Sequence, residues 1–292
     1  MILHKPVLLK EVCDYIPSKC ELIVDWTLGH GGHTKVMLDL CPTAKVIWID
    51  LDEIMLAKAK DMLKWKEDRV IFQQWSYTKI EDYLEKNWYK WCDYVLVDLW
   101  VNLEHFKDGE RGFSIKNSAK LDMRYDQIHN LNSAYVVINT YSKTQLEALF
   151  MNYADFAPKK ATEIAEKIVT QRKQTPLQTT QDLKTLLNSL GLWEKACAVI
   201  FQALRIEVNQ EINNLSLVLQ QIPRILNPGG RCTIISYHST EDRLVKNVFK
   251  ELSEQEWFNL LTKKAIQPNY KEKEHNKASR SAKMRVIERS FN

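Results

Sequence analysis

The sequence predicts an α/β fold, a doubly wound parallel sheet interrupted by a helical insertion. Three observations predict it. In the first hundred residues, short apolar runs alternate with helix-period segments, and several of the runs end in an acid. A glycine-rich loop, "DWTLGHGGHT", follows the first of these runs. A stretch patterned only for helices, 116–196, then separates this half from further strand signals near the end of the chain. Strands that alternate with helices pair in parallel and are covered by those helices.

Taken in order, Leu22-Ile23-Val24 before Asp25 reads as the first strand, and 34–40 as a helix. "KVIWID", 45–50, is a buried second strand that again ends in an acid. Ile54, Leu56, Ala57 and Leu63 share one side of a helix over 53–63. The third strand is 70–72, and the fourth is 94–97, just before Asp98. The helical stretch has a polar break at Thr175-Pro176. One long amphipathic helix is predicted over 201–226, with Phe201, Leu204, Val208 and Ile212 as its core stripe. Asn227-Pro228-Gly229-Gly230 is a turn. "RCTIISY", 231–237, resumes the sheet, a helix follows from Thr240, and 282–287 alternates like a last strand. The expected organisation is a core in two parts, 1–115 and 197–292, around a helical insertion domain at 116–196.

Composition excludes several classes. The chain has 292 residues, 45% of them hydrophobic, enough for a sizeable core. Its net charge is only +4, so no strong overall field is expected, although 263–289 is locally basic. No run approaches the roughly 18 apolar residues of a membrane span. The start, "MILHKPVLLKEVCDYI", lacks the order of a signal peptide. The six cysteines fall in no CxxC or Cys/His ligand spacing, so reduced, mostly buried thiols in a cytoplasmic protein are expected, with no metal site.

The loop points to a nucleotide-like ligand. In doubly wound sheets ligands bind beyond the carboxyl ends of the strands. Asp50 stands 21 positions after Gly29, where an acid accepts from ribose hydroxyls. Gly31 and Gly32 also read simply as a helix entry. Asp25 separates two ligands: a carboxylate before the glycines repels a dinucleotide phosphate but suits the ammonium and sulfonium of S-adenosylmethionine.

The chain resembles, over nearly its whole length, the RsmH (MraW) family of bacterial ribosomal RNA methyltransferases. The matching blocks are "HKPVLLKEV", "TLGHGGHT", "DLWVN" with "ERGFSI", "LDMRYD", "FQALRIEVNQEI", "NPGGR", "ISYHSTEDRLVK" and "SRSAKMRVIERS", all in order. The resemblance implies a class I S-adenosylmethionine-dependent methyltransferase (a Rossmann-like doubly wound sheet) with a helical insertion. It also implies methylation of N4 of a cytidine in 16S rRNA near the decoding site, acting on the small ribosomal subunit. The family's cofactor loop falls on Gly31, Gly32 and His33, its ribose-binding acid on Asp50, the aromatic beside the adenine on Tyr77, and the fourth strand's acid on Asp98. The cofactor contact that the family often makes with Gln falls on His105, which can still donate or accept; Lys195-Ala196-Cys197-Ala198-Val199 replaces the family's "HPATR", so substrate contacts from that stretch do not carry over.

The chemistry suits these residue types. A cytosine amine is a poor nucleophile, because its lone pair is delocalised into the ring. It needs alignment with the methyl group and a proton acceptor, and positioning supplies several kcal/mol of such a barrier. Asp98 and Asn102 are the candidates to hold it, although Asn102 reads equally as a loop cap. "DLWVN" is not the Asp/Asn-Pro-Pro-aromatic motif of many amino-methyltransferases. His238 could face the same cleft, but a structural partner in Glu241 or Asp242 is the preferred reading. Arg111, Arg124, Arg280 and Arg285 suit phosphate contacts, and each suits an internal ion pair equally. The base must be unstacked to enter a pocket, and the insertion and basic tail are the expected RNA surfaces. Two other functions fit parts of the pattern: a non-catalytic ribosome-assembly factor that retains the fold, and an NAD-dependent oxidoreductase, which Asp25 and the later motifs disfavour.

Tryptophan is oddly placed. Trp26 and Trp100 stand where the resembled family has glycine, and Trp48 and Trp75 sit at strand ends where small residues are usual. Trp88 and Trp91 bracket a turn. The chain has 9 Trp but only 8 Gly, against roughly 20 Gly at the average of about 7%. This pattern leads us to expect that UGA codons read as glycine in the source cell are written as Trp in the sequence. It also predicts that Trp26 or Trp100 crowds the cofactor cleft.

Overall fold

The structure, a computed structural model, describes residues 6–26, 31–50, 56–57, 60–61, 63–74, 77–100 and 110–291, with the backbone only at 50, 65–67, 74 and 77. The elements run in the order α1 (Leu9–Asp14), β1 (Leu22–Asp25), α2 (Gly32–Leu40), β2 (Lys45–Asp50), β3 (Val70–Gln74), α3 (Ile80–Lys86), β4 (Cys92–Asp98), α4 (Ala134–Thr140), α5 (Lys143–Ala154), α6 (Pro158–Gln174), α7 (Thr180–Ser189), α8 (Glu194–Val208), α9 (Glu211–Ile225), β5 (Leu226–Ser236), α10 (Ser239–Glu254), β6 (Phe258–Leu260), α11 (Tyr270–His275) and β7 (Lys283–Arg289). They divide into two compact units, Met1–Val101 with Asn213–Asn292, and Asn102–Ile212. The sequence pattern drew the helical segment as 116–196, and the compact unit in the structure is wider on both sides.

The first unit carries one sheet of order β3-β2-β1-β4-β5-β7-β6. β1 to β5 pair in parallel, and β7 runs antiparallel to both β5 and β6. This is the class I methyltransferase sheet that the resemblance implied. Both faces are buried, as the near-continuous apolar strands require. Successive side chains point to opposite faces, so Leu22, Val24, Ile47, Ile49, Val95 and Val97 enter one core, and Ile23, Val46, Trp48, Tyr94 and Leu96 the other. The second unit has its own core, centred on Ile138, Leu149, Phe150, Ile164, Ile168, Leu187 and Leu204.

Three expectations change. The helix predicted over 201–226 is two helices, parted at Asn209 and at Gln210, whose φ is +53°. The Asn209 side chain accepts from the Tyr125 N–H and donates to the Met123 and Arg205 carbonyls, and these contacts stop the helix although the apolar period continues. The Asn227–Gly230 turn lies inside β5, as an irregularity between the pairs Cys92↔Leu226 and Tyr94↔Arg231. β6, a strand of 3 residues, is too short to give a period and had no counterpart in the sequence reading. Of the helix expected over 53–63, the described residues 56–57 and 60–61 are helical.

Candidate active site

The strand order reverses between β2-β1 and β4-β5, so the ligand crevice of the sheet opens beyond the carboxyl ends of β1 and β4. Each of those strands ends in a buried acid, Asp25 and Asp98. Asp25 accepts a hydrogen bond from the Thr34 hydroxyl in the first turn of α2, which fastens the start of that helix to the end of β1. The start of α2 depends on Gly31 and Gly32. Gly31 has φ +71°, and a Cβ on Gly32 would lie 2.7 Å from Pro6 Cγ. Backbone conformation and close packing thus account for both residues.

At the end of β4, one carboxyl oxygen of Asp98 accepts from the Tyr237 hydroxyl at 2.7 Å and from the Trp100 N–H at 3.2 Å. Its other oxygen lies 3.7 Å from His33 Nδ1. Burial pushes the Asp98 carboxyl up to about 6, against the pull of its two donors. Burial also lowers His33. Its Nε2 lies 2.9 Å from the Val7 carbonyl oxygen, which can only accept. His33 is therefore the neutral tautomer with its proton on Nε2, and Nδ1 is left facing Asp98 as an acceptor. Burial beside Asp98 holds the Tyr237 phenol well above its usual range, so it remains a donor. At neutral pH the cluster presents one buried carboxylate, fixed by a neutral donor, able to take up a proton.

Of the residues expected at the site, His33 and Asp98 come together, and Gly31 and Gly32 shape the turn before them. Asp50 ends β2 and Tyr77 begins the 3-10 turn Tyr77–Lys79, but their side chains lie outside the described structure, as do Asn102 and His105 altogether. Tyr237, which holds Asp98, was not anticipated. Its signal was its place at the end of the resumed strand, two β-strands from Asp25 across the switch. His238 takes the structural role: it caps α10, its Nε2 is 2.9 Å from Glu241 Oε1, and Glu241 Oε2 accepts from the Tyr237 N–H at 2.8 Å.

All four arginines have partners within the chain. Arg111 donates to the Arg124 and Tyr125 carbonyls, Arg124 grips Asp122 with two nitrogens, and Arg285 pairs with Asp242 at 2.7 Å. Arg280 donates to the Lys273 carbonyl on the exposed surface. Of the two tryptophans expected to crowd the cleft, Trp26 has its ring buried in the sheet core, because alternation along β1 sends it to the side of Leu22 and Val24. Trp100 instead lies with its ring 4.7 Å from that of Tyr237, beside Asp98. All six cysteines are free, five of them buried, and burial raises each thiol, which leaves them inert.

Comparison with known proteins agrees with this geometry. Proteins called ribosomal RNA small subunit methyltransferase H are similar over nearly the whole chain. The one from Brachyspira hyodysenteriae is 39% identical, covering 99% of this chain and 97% of its own length. The one from Christiangramia forsetii is 41% identical, over 97% and 96%, and that from Pseudothermotoga lettingae is 36% identical, over 99% of each. The sequence pattern of the MraW methylase family matches residues 1–290, so this chain belongs to that family.

Proposed function

We propose that this protein methylates N4 of a cytidine in 16S rRNA, within the small ribosomal subunit and in the cytoplasm. The chain is a methyltransferase with S-adenosylmethionine as its methyl donor. The observation that carries the finer reading is the buried Asp98 at the switch point, held by Tyr237 and ionised at neutral pH. The polar side chains described around this crevice, Asp25, Asp98, Thr34, His33 and Tyr237, are acids and neutral groups, a set that fits a ligand bearing a sulfonium and an ammonium and repels a phosphate. When bound, the cofactor supplies an electrophilic methyl carbon. Asp50 would hold its ribose, and the loop of Gly31, Gly32 and His33 its amino-acid end.

The rest is the work of the protein. Asp98 orients the cytosine amine and accepts its proton, Asn102 shares that orientation, and the neutral His33 next to Asp98 leaves the carboxylate free of a permanent counter-charge. The helical unit and the basic end of the chain supply RNA contacts, and their modest charge makes the assembled particle a better substrate than naked RNA. Among the described residues no helix is long and apolar enough to cross a membrane.

The test is to incubate the protein and S-adenosylmethionine with small subunits from a strain lacking N4-methylcytidine, then map that nucleoside in the rRNA. Its appearance at one cytidine is expected. Cofactor binding without any new methylation would favour a non-catalytic assembly factor, and methylation at another atom would overturn the N4 assignment.

A further inference from the structure

Three tryptophans carry marks that the methyltransferase reading does not explain. Trp88 follows α3 with φ +63°. Its N–H bonds to the Glu85 carbonyl at 3.2 Å and that of Tyr89 to the Leu84 carbonyl at 2.9 Å, the pair of bonds that closes a helix through one left-handed residue. That residue is usually glycine, since a Cβ clashes there. Leu8 and Met123 also have positive φ, but their side chains are buried and packing can offset the strain. Trp88 is 96% exposed, and burial of its ring offsets nothing. The left-handed turn alone does not decide the matter, because the exposed residues Asp155, Gln210 and Glu256 make one too. Trp26 and Trp48 supply the second mark. Both are buried, at 4% and 0% exposure, and the indole Nε1 of each has no hydrogen-bond partner among the described residues. Buried Trp N–H groups ordinarily find an acceptor, and an unsatisfied one is a named source of large destabilisation. They lie on neighbouring strands: Trp26 directly follows β1, and Trp48 lies within β2, opposite Asp25 and with its ring 5.7 Å from that of Phe72. The third mark is the scarcity of glycine, 8 residues against 9 Trp. Trp91 lacks such marks, for its ring has Lys90 Nζ at 4.2 Å and Arg289 at 5.4 Å.

We propose that the polypeptide made in the source cell has glycine at positions 26, 48 and 88, because UGA is read as glycine there and is written here as tryptophan. One cause then accounts for a left-handed exposed residue, two orphaned indoles and the low glycine count. The same codon at position 100 would remove the ring that lies on Tyr237 beside Asp98, and so widen the wall of the crevice. The test reads the codons at 26, 48, 88 and 100 and identifies the matching peptides of the native protein by mass spectrometry. UGA codons with glycine in the peptides are expected. UGG codons, or peptides that carry tryptophan at 26, 48 and 88, overturn the proposal. In the chain as written, Trp88→Gly should raise the urea midpoint and Trp88→Ala should not. An unchanged or lower midpoint for Trp88→Gly overturns the assignment at that position. No readout here involves methyl transfer, so the outcome is independent of the proposed activity.

Discussion

In the helical unit, Ser142 and Gln145 close the start of α5 with reciprocal side-chain and backbone bonds, Thr179 and Asp182 do the same for α7, Ser133 caps α4, and Pro158 stands at the start of α6. In the sheet unit His238 and Glu241 cap α10 in the same reciprocal way, and the conflicts lie elsewhere. α3 has no side-chain cap at its start and ends on the left-handed Trp88, while Trp26 and Trp48 bury unsatisfied indoles. Of the 9 tryptophans, only Trp193 falls in the helical unit, Asn102–Ile212. The contrast teaches where to look for conflict between sequence and fold. Local choices in natural chains agree with the global structure except at functional or strained sites, and in the sheet unit one exposed left-handed residue and two buried indoles without an acceptor among the described residues are tryptophans. The two units also divide the work in the proposed activity, with the carboxylates of the crevice in one and a separate apolar core in the other.

That division predicts the largest effect. Because α8 shares the helical core through Phe201 and Leu204, a clean excision has to reach Val208, beyond the 196 that the sequence pattern suggested. Replacing the helical unit by a short linker should leave S-adenosylmethionine binding largely intact by calorimetry and abolish methylation of small subunits. A shortened protein that methylates them at the normal rate would sink the assignment of this unit to RNA.

The next effect lies within the sheet unit. Asp98→Asn keeps the shape but removes the proton acceptor, and general-base losses run to about 10²–10⁴-fold in rate. The pH dependence sharpens the test. Ionised Asp98 is the active form, so kcat/KM should rise with pH through about 6. Stability runs the other way. A raised carboxyl favours the protonated native state, so the stability it contributes is present below the ordinary carboxylate range and lost as pH rises through about 6. Asp98→Asn should flatten both slopes. A rate profile that keeps its rise near pH 6 in the variant would assign that titration to another group.

Asp50→Ala should weaken cofactor binding by about 1.5–3 kcal/mol through loss of charge-assisted hydrogen bonds. Unchanged affinity would remove Asp50 from the site.

How much of this was legible in the sequence follows from range. Strand-end acids and apolar runs are local signals, and they located β1 to β4 with Asp25 and Asp98 at the ends of the first and fourth. The break at Asn209 depends on Tyr125 and Met123, more than 80 positions away, and no periodicity carries that. The Tyr237–Asp98 bond spans 139 positions and exists only once β4 and β5 pair. The structure also answered what the sequence left open at His238 and at Arg285, where Glu241 and Asp242 supply internal partners.

The smallest predicted effects bring the two units into one measurement. Thr179→Ala removes the cap of α7 and should cost about 1 kcal/mol. Trp88→Gly, at the opposite kind of terminus in the other unit, should gain. A residue with a Cβ pays roughly 1–2 kcal/mol for the left-handed conformation, glycine returns about 0.5–1 kcal/mol of that as chain entropy, and an exposed ring takes little packing with it. The net is a stabilisation of roughly 0.5–1 kcal/mol, of opposite sign to the cap deletion and close to it in size. The two sites share no partner, so the double variant should unfold near the wild-type midpoint. Urea unfolding of the four proteins measures it. If both single variants lose stability, the helical end at 88 tolerates its tryptophan, and the contrast between the units rests on the buried indoles alone.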